Sequence, residues 1–156
     1  MSSKYLVSEI EAFCARYYGD RSLTIVPMAY QAIFLALAQG AQQTQVVQIA
    51  ANADFIALGM RTRAILAAAG LNVSTLVAPI TRLLITDGGT NEQWTNTSVD
   101  IQNYAPSGPI DLELPYPRIV SGRSTLNCVM TNYSPAAETY SQLELSVYGV
   151  SVRATG

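Results

Sequence analysis

Residues 114–152 read LPYPRIVSGRSTLNCVMTNYSPAAETYSQLELSVYGVSV, and their pattern decides the fold. Between Ser124 and Thr131, the apolar Leu126, Cys128 and Met130 alternate with Thr125, Asn127 and Thr131, and Val129 is the one apolar intruder on the second face. Between Gln142 and Val152, Leu143, Leu145 and Val147 alternate with Glu144, Ser146 and Tyr148. Strand side chains point to opposite faces with period 2, so both segments read as strands covering one core. Residues 132–140 connect them, in a loop longer than a tight hairpin turn. Gly149 interrupts the second segment where the apolar positions move to Val150 and Val152, which predicts a bulge. Pro115 and Pro117 bracket Tyr116 and predict an extended entry. The stretch reads as the closing strand pair of a β-sandwich.

Working backwards, period 2 continues. Residues 42–49, 55–63 and 80–86 read as strands, residues 92–95 and 98–102 as shorter ones, and Ile110, Leu112 and Leu114 alternate with Asp111 and Glu113. Asp87-Gly88-Gly89 is a turn by composition. Short strands separated by turn signals predict a mainly β chain, an antiparallel β-sandwich or jelly roll. Ahead of it lies a different pattern. Leu6, Ile10, Phe13, Cys14 and Tyr17 recur at helical spacing, with Ser3 as a cap and Gly19 as a stop. Leu23 to Val26 is a short β-like run, and Pro27 then fits the first turn of a second helix over 28–38, apolar nearly all round. The expected organisation is a helical segment over 1–41, docked on the sandwich or serving as an assembly arm, followed by a sandwich domain over 42–156.

Charged residues make up only 13% of the 156 residues, against about 25% in an ordinary soluble domain. Interface cores are depleted in charge, so either the surface is neutral and polar or much of it is covered by repeated subunit contacts. A net charge of −2 with a single lysine, Lys4, offers no general attraction for nucleic acid. Arg61 and Arg63 share a strand face without forming a basic cluster. The first residues lack a signal-peptide pattern, and the longest apolar run is too short to span a bilayer. The expectation is a soluble chain made in a cytoplasm.

The chain has no histidine, which removes the commonest general base and metal ligand. Its two cysteines, Cys14 and Cys128, fall in different predicted elements and suggest neither zinc nor a disulfide framework. Asp111 and Glu113 are the remaining carboxylate pair for hydrolysis, and an exposed polar strand face explains them as well. Asp54 reads as a turn residue bonding its own backbone, and too few oxygen ligands surround it or Asp87 for calcium. No catalytic residues, cofactor or metal are expected. Trp94, among Asn91, Gln93 and Asn96, is the candidate stacking platform for a glycan. Nine tyrosines are present, several in predicted loops, and tyrosine is enriched in interfaces.

The order QVVQIAANADF from Gln45, LLITDGG from Leu83, LPYPR from Leu114, STL from Ser124, TNY from Thr131 and LSVYGV from Leu145 resembles small β-sandwich structural proteins of bacteriophage particles. The likeness covers about residues 42 to 152 and implies a capsid-associated protein that acts by symmetric assembly, with no catalytic motif. The partners it implies are copies of the chain and other virion proteins, located in a virion made in the host cytoplasm. Tyr30, Ile33, Phe34, Leu37, Tyr116, Tyr133 and Tyr140 are the expected interface residues. The alternative is a glycan- or receptor-binding sandwich that uses Trp94.

Overall fold

The computed structural model describes residues 7–67, 77–107 and 113–155. Helix α1 spans Val7–Tyr18; the strands are β1 Ser22–Leu37, β2 Gln42–Gln48, β3 Asp54–Leu66, β4 Thr81–Asp87, β5 Val99–Asp100, β6 Glu113–Val120, β7 Thr125–Asn132 and β8 Tyr140–Thr155. A single-turn helix, α2, spans Ile101–Tyr104 and is capped by Asp100, whose side chain accepts from the Gln102 N–H.

The strands form two four-stranded antiparallel sheets in the orders β1-β8-β3-β6 and β2-β7-β4-β5. β1 pairs with β8, β2 with β7, β3 with β6 and β4 with β5, while β8·β3 and β7·β4 stitch the pairs into sheets. One long antiparallel hairpin, folded across itself so that alternate pairs fall in opposite sheets, produces this order. It is a jelly roll.

The predicted helix over 28–38 is instead the second half of β1, paired to β8 from Ser22↔Thr155 to Leu37↔Tyr140. Ala32 and Phe34 point into the sandwich and Ile33 and Leu35 point out, so apolar side chains lie on both faces. Pro27 is tolerated because β1 is an edge strand, where a missing N–H leaves no second neighbour unserved. The sandwich therefore begins at Ser22, and the helical segment is α1 alone. Pro115 and Pro117 lie in β6, the opposite edge of the same sheet. The strand expected over 92–95 is reduced to a single bridge between Gln93 and Thr86. Leu6, Ser3 and the alternation of Ile110 and Leu112 with Asp111 lie outside the described residues.

Two layers of apolar packing hold the molecule. Between the sheets lie Phe34, Phe55, Met60, Leu83, Ile85, Leu126, Met130, Leu143 and Leu145. On the outer side of the β1-β8-β3-β6 sheet, Ile10, Phe13, Cys14 and Tyr18 of α1 cover Leu23, Ile25, Ile56, Leu58, Val150 and Val152. This second layer explains the apolar shift after Gly149. β8 keeps its phase, and its outward positions become apolar where the helix covers them. The register shift lies in β3, between Ala57 and Gly59, opposite Gly149 and Tyr148. Gly149 is required by proximity: a Cβ there would sit 1.9 Å from the Ile56 carbonyl oxygen.

α1 is also fastened by polar groups. Asp54 accepts from the Tyr18 hydroxyl at 2.7 Å and from the Gly122 N–H at 2.8 Å, which ties helix, β3 and the β6–β7 turn together. The carboxylate thus serves other segments instead of its own turn. Burial, and then the bond to Asp54, push the Tyr18 hydroxyl pKa well up. Asn132 forms a similar knot inside, donating to the carbonyls of Leu37 and Glu138 and accepting from the Ser134 N–H.

Candidate functional sites: an uncharged sheet face and a cleft

The first site is the outer face of the β2-β7-β4-β5 sheet, which no described element covers. Alternation sends the inward residues of β7 and β4, and Val47 of β2, into the core and leaves rows of cross-strand neighbours outside. The rows are Thr44, Val129 and Leu84; Val46, Asn127 and Thr86; and Gln48 beside Thr125. A fourth, Gln42, Thr131, Arg82 and Asp100, lies at one end and holds the only formal charges of the face. There Arg82 lies 4.6 Å from the Tyr133 ring centroid, and the Tyr133 hydroxyl donates to Asp100. The bond to Asp100 raises the Tyr133 pKa, with Arg82 opposing. At the far edge, β2 carries no charge, no proline and no bulge, the features that ordinarily block edge-to-edge pairing.

The second site is a cleft of about 360 Å³ lined by Asp87, Glu92, Trp94, Tyr104, Leu114, Pro115, Tyr116, Pro117, Arg118 and Ile119. Three separate segments build it: the turn after β4, helix α2 and edge strand β6. Asp87 is 6% exposed, and its Oδ1 accepts from the Gly89 N–H at 2.8 Å. The composition at 87–89 predicts a turn, and the structure has a turn there. Arg118 reaches across to Glu92 Oε1 at 3.4 Å and to the Trp94 carbonyl, with its guanidinium 5.5 Å from the Trp94 ring centroid. Burial raises the Tyr104 pKa, and Arg118 opposes the shift.

The expected interface residues divide by burial. Phe34, Leu37 and Tyr140 are core: the first two fill the space between the sheets, and Tyr140 accepts the Ile80 N–H at 2.9 Å. As buried side chains they have no surface to offer a partner. Tyr30 is half-buried, its ring edge-on to Phe55 and its hydroxyl accepting the Ala50 N–H. Ile33 stands exposed on the outer side of β1, and Tyr133 flanks the uncharged face. Tyr116 is 65% exposed and lines the cleft, edge-on to Phe13. Trp94 is 6% exposed with Arg118 over its ring, so it forms a wall of the cleft instead of an open platform. Arg61 and Arg63 both point outward from β3, either side of the inward Thr62. Glu113 is buried, and its expected partner Asp111 lies outside the described residues.

Among the described residues no three His, Cys, Asp or Glu side chains gather as a metal site, and no helix is long and apolar enough to cross a membrane. Cys14 and Cys128 are both buried free thiols, and burial pushes Cys128 up to about 12. Comparison with family models, with curated proteins and with solved structures finds no match to this chain.

Proposed function

We propose that this chain is a structural component of a bacteriophage particle, decorating or helping to build the capsid, and that it acts by symmetric protein–protein assembly. One observation carries the reading: a jelly roll of low charge leaves a sheet face made mostly of threonine, glutamine, asparagine and valine uncovered among the described residues, with Arg82 and Asp100 at one end. A fold alone names no function. The chemistry of the open face adds the argument, because desolvating uncharged side chains costs far less than desolvating Lys or Glu, and interface cores are depleted in charge for that reason. The same patch can be reused around a symmetry axis, so its partners are copies of the chain and neighbouring virion proteins. In this reading the protein carries no catalysis, cofactor or nucleic-acid site, and its place is the virion.

The test is assembly. Sedimentation of the purified chain over a range of concentrations, and its addition to shells that lack it, should show self-association or stable incorporation. A monodisperse monomer at high concentration that also fails to bind such shells would sink the reading.

A further inference from the structure

We propose that the cleft between the β4–β5 connection and edge strand β6 binds a saccharide. The inference is independent of the assembly reading, because the cleft lies at the β6 edge of one sheet and the uncharged face belongs to the other.

A sugar ring needs three things of a site: an aromatic surface for its C–H face, acceptors and donors for its hydroxyls, and a fixed concave shape. The exposed ring of Tyr116 supplies the first. Asp87 is a carboxylate withdrawn from water, with one oxygen held by Gly89 and no hydrogen bond to the other among the described residues. That leaves a strong acceptor oxygen open at the cleft, where a sugar hydroxyl can donate to it. Glu92 adds acceptor oxygens, Arg118 adds N–H donors, and the Tyr104 hydroxyl can do either. Pro115 and Pro117 fix the backbone on both sides of Tyr116, so little conformational freedom is lost on binding. The volume of about 360 Å³ is at the small end for ligand sites and suits one or two sugar rings.

The charges argue against other ligands. A phosphate-bearing ligand would meet two carboxylates against one guanidinium, and Glu92 already engages that guanidinium. A cation would meet Arg118 in the same space. A neutral polyhydroxylated ring conflicts with neither.

Trp94 is the only tryptophan, so its fluorescence reports on the cleft alone. The full-length chain should be titrated with methyl glycosides of glucose, galactose, mannose and N-acetylglucosamine, and with cellobiose and lactose. Saturation-transfer NMR on the same samples gives a second readout. At least one sugar should change Trp94 emission saturably and show saturation transferred from the protein to its ring protons. Tyr116→Ala should bind about tenfold more weakly while staying folded, with a small drop in melting temperature from the lost contact with Phe13, Glu92→Gln should also bind more weakly, and Ile33→Ala, remote from the cleft, should bind like the parent. The proposal is overturned if no sugar in the panel gives a saturable signal in either readout, or if Tyr116→Ala binds as tightly as the parent. Neither outcome bears on assembly, which sedimentation reads separately.

Discussion

The two sheets of the sandwich share an interior but differ outside. The β1-β8-β3-β6 sheet is apolar on both faces over half its length, and α1 covers that half. The β2-β7-β4-β5 sheet alternates strictly, and its outer face carries mostly hydroxyl and amide side chains with no cover among the described residues. The difference shows how one chain treats two kinds of surface. Where outward residues are Ile56, Val150 and Val152, the chain supplies its own helix; where they are Thr44, Asn127 and Thr86, none is needed for stability, and the face stays available. The first surface belongs to folding, and the second stays open among the described residues.

The sharpest way to break that comparison is to truncate one outward apolar residue on each sheet. Ile56 is fully buried under α1, so Ile56→Ala should cost about 2–5 kcal/mol in a denaturant melt. Val46, at 59% exposure on β2, should change stability by about 0.5 kcal/mol or less when cut to alanine. Equal losses would mean that the two faces are not distinct.

The two thiols sharpen the same contrast. Cys128 lies between the sheets and Cys14 lies under the helix. The Cys128 pKa is raised from 9.0 to about 12, so below pH 9 both folded and unfolded chains hold the proton and its contribution to stability is whole. As pH rises from 9 towards 12 the unfolded thiol ionises while the folded one does not, and stability falls by about 2 kcal/mol near pH 10.5. Cys128→Ala should flatten that part of the alkaline loss. At neutral pH, alkylation should reach Cys14 first, through local undocking of α1, and Cys128 only on global unfolding. Labelling of both at one rate would show that helix and sandwich open together. A smaller effect is expected from Tyr18→Phe, which removes the hydroxyl bond to Asp54 and should cost about 1–2 kcal/mol by thermal melt while speeding Cys14 labelling.

Legibility in the sequence followed the same division. β2, β4, β7 and most of β8 were readable because one face meets the core and the other meets water, which writes period 2 into the chain. α1 was readable from its apolar stripe and from Gly19, which takes φ +67° at the helix end and donates to the Ala15 carbonyl. β1 does not show its period in the sequence because Ile33 and Leu35 point outward, which erases the alternation of Tyr30, Ala32 and Phe34, and because Pro27 suits both a helix start and an edge strand. Gln31, polar between inward Tyr30 and Ala32, was the available clue. Apolar cover by α1 imitates a phase change in β8, which hides that the irregularity lies in β3. Of the cleft only Trp94 and Tyr116 stand out in the sequence as single residues; that they meet Asp87, Tyr104 and Arg118 follows from strand order, which no spacing in one chain encodes.

The smallest expected effect on stability is also the one that separates the two surfaces most cleanly. Thr44 is exposed in the middle of β2, opposite Val129, with its side chain on the uncovered face. Lysine there keeps an extended backbone and places its ammonium in water, so Thr44→Lys should shift unfolding free energy by about 0.5 kcal/mol or less. Against a partner, that ammonium would have to be desolvated, while the one carboxylate among the described rows of the face, Asp100, stands at the opposite sheet edge on β5 and is already bonded to Tyr133. Self-association or shell binding should therefore fall steeply while the melt stays unchanged, and a lysine at Arg63, on the other sheet, should do neither. If Thr44→Lys assembles like the parent, the uncharged face is not the contact, and assembly must use another surface, such as Ile33 and Leu35 on the outer side of β1.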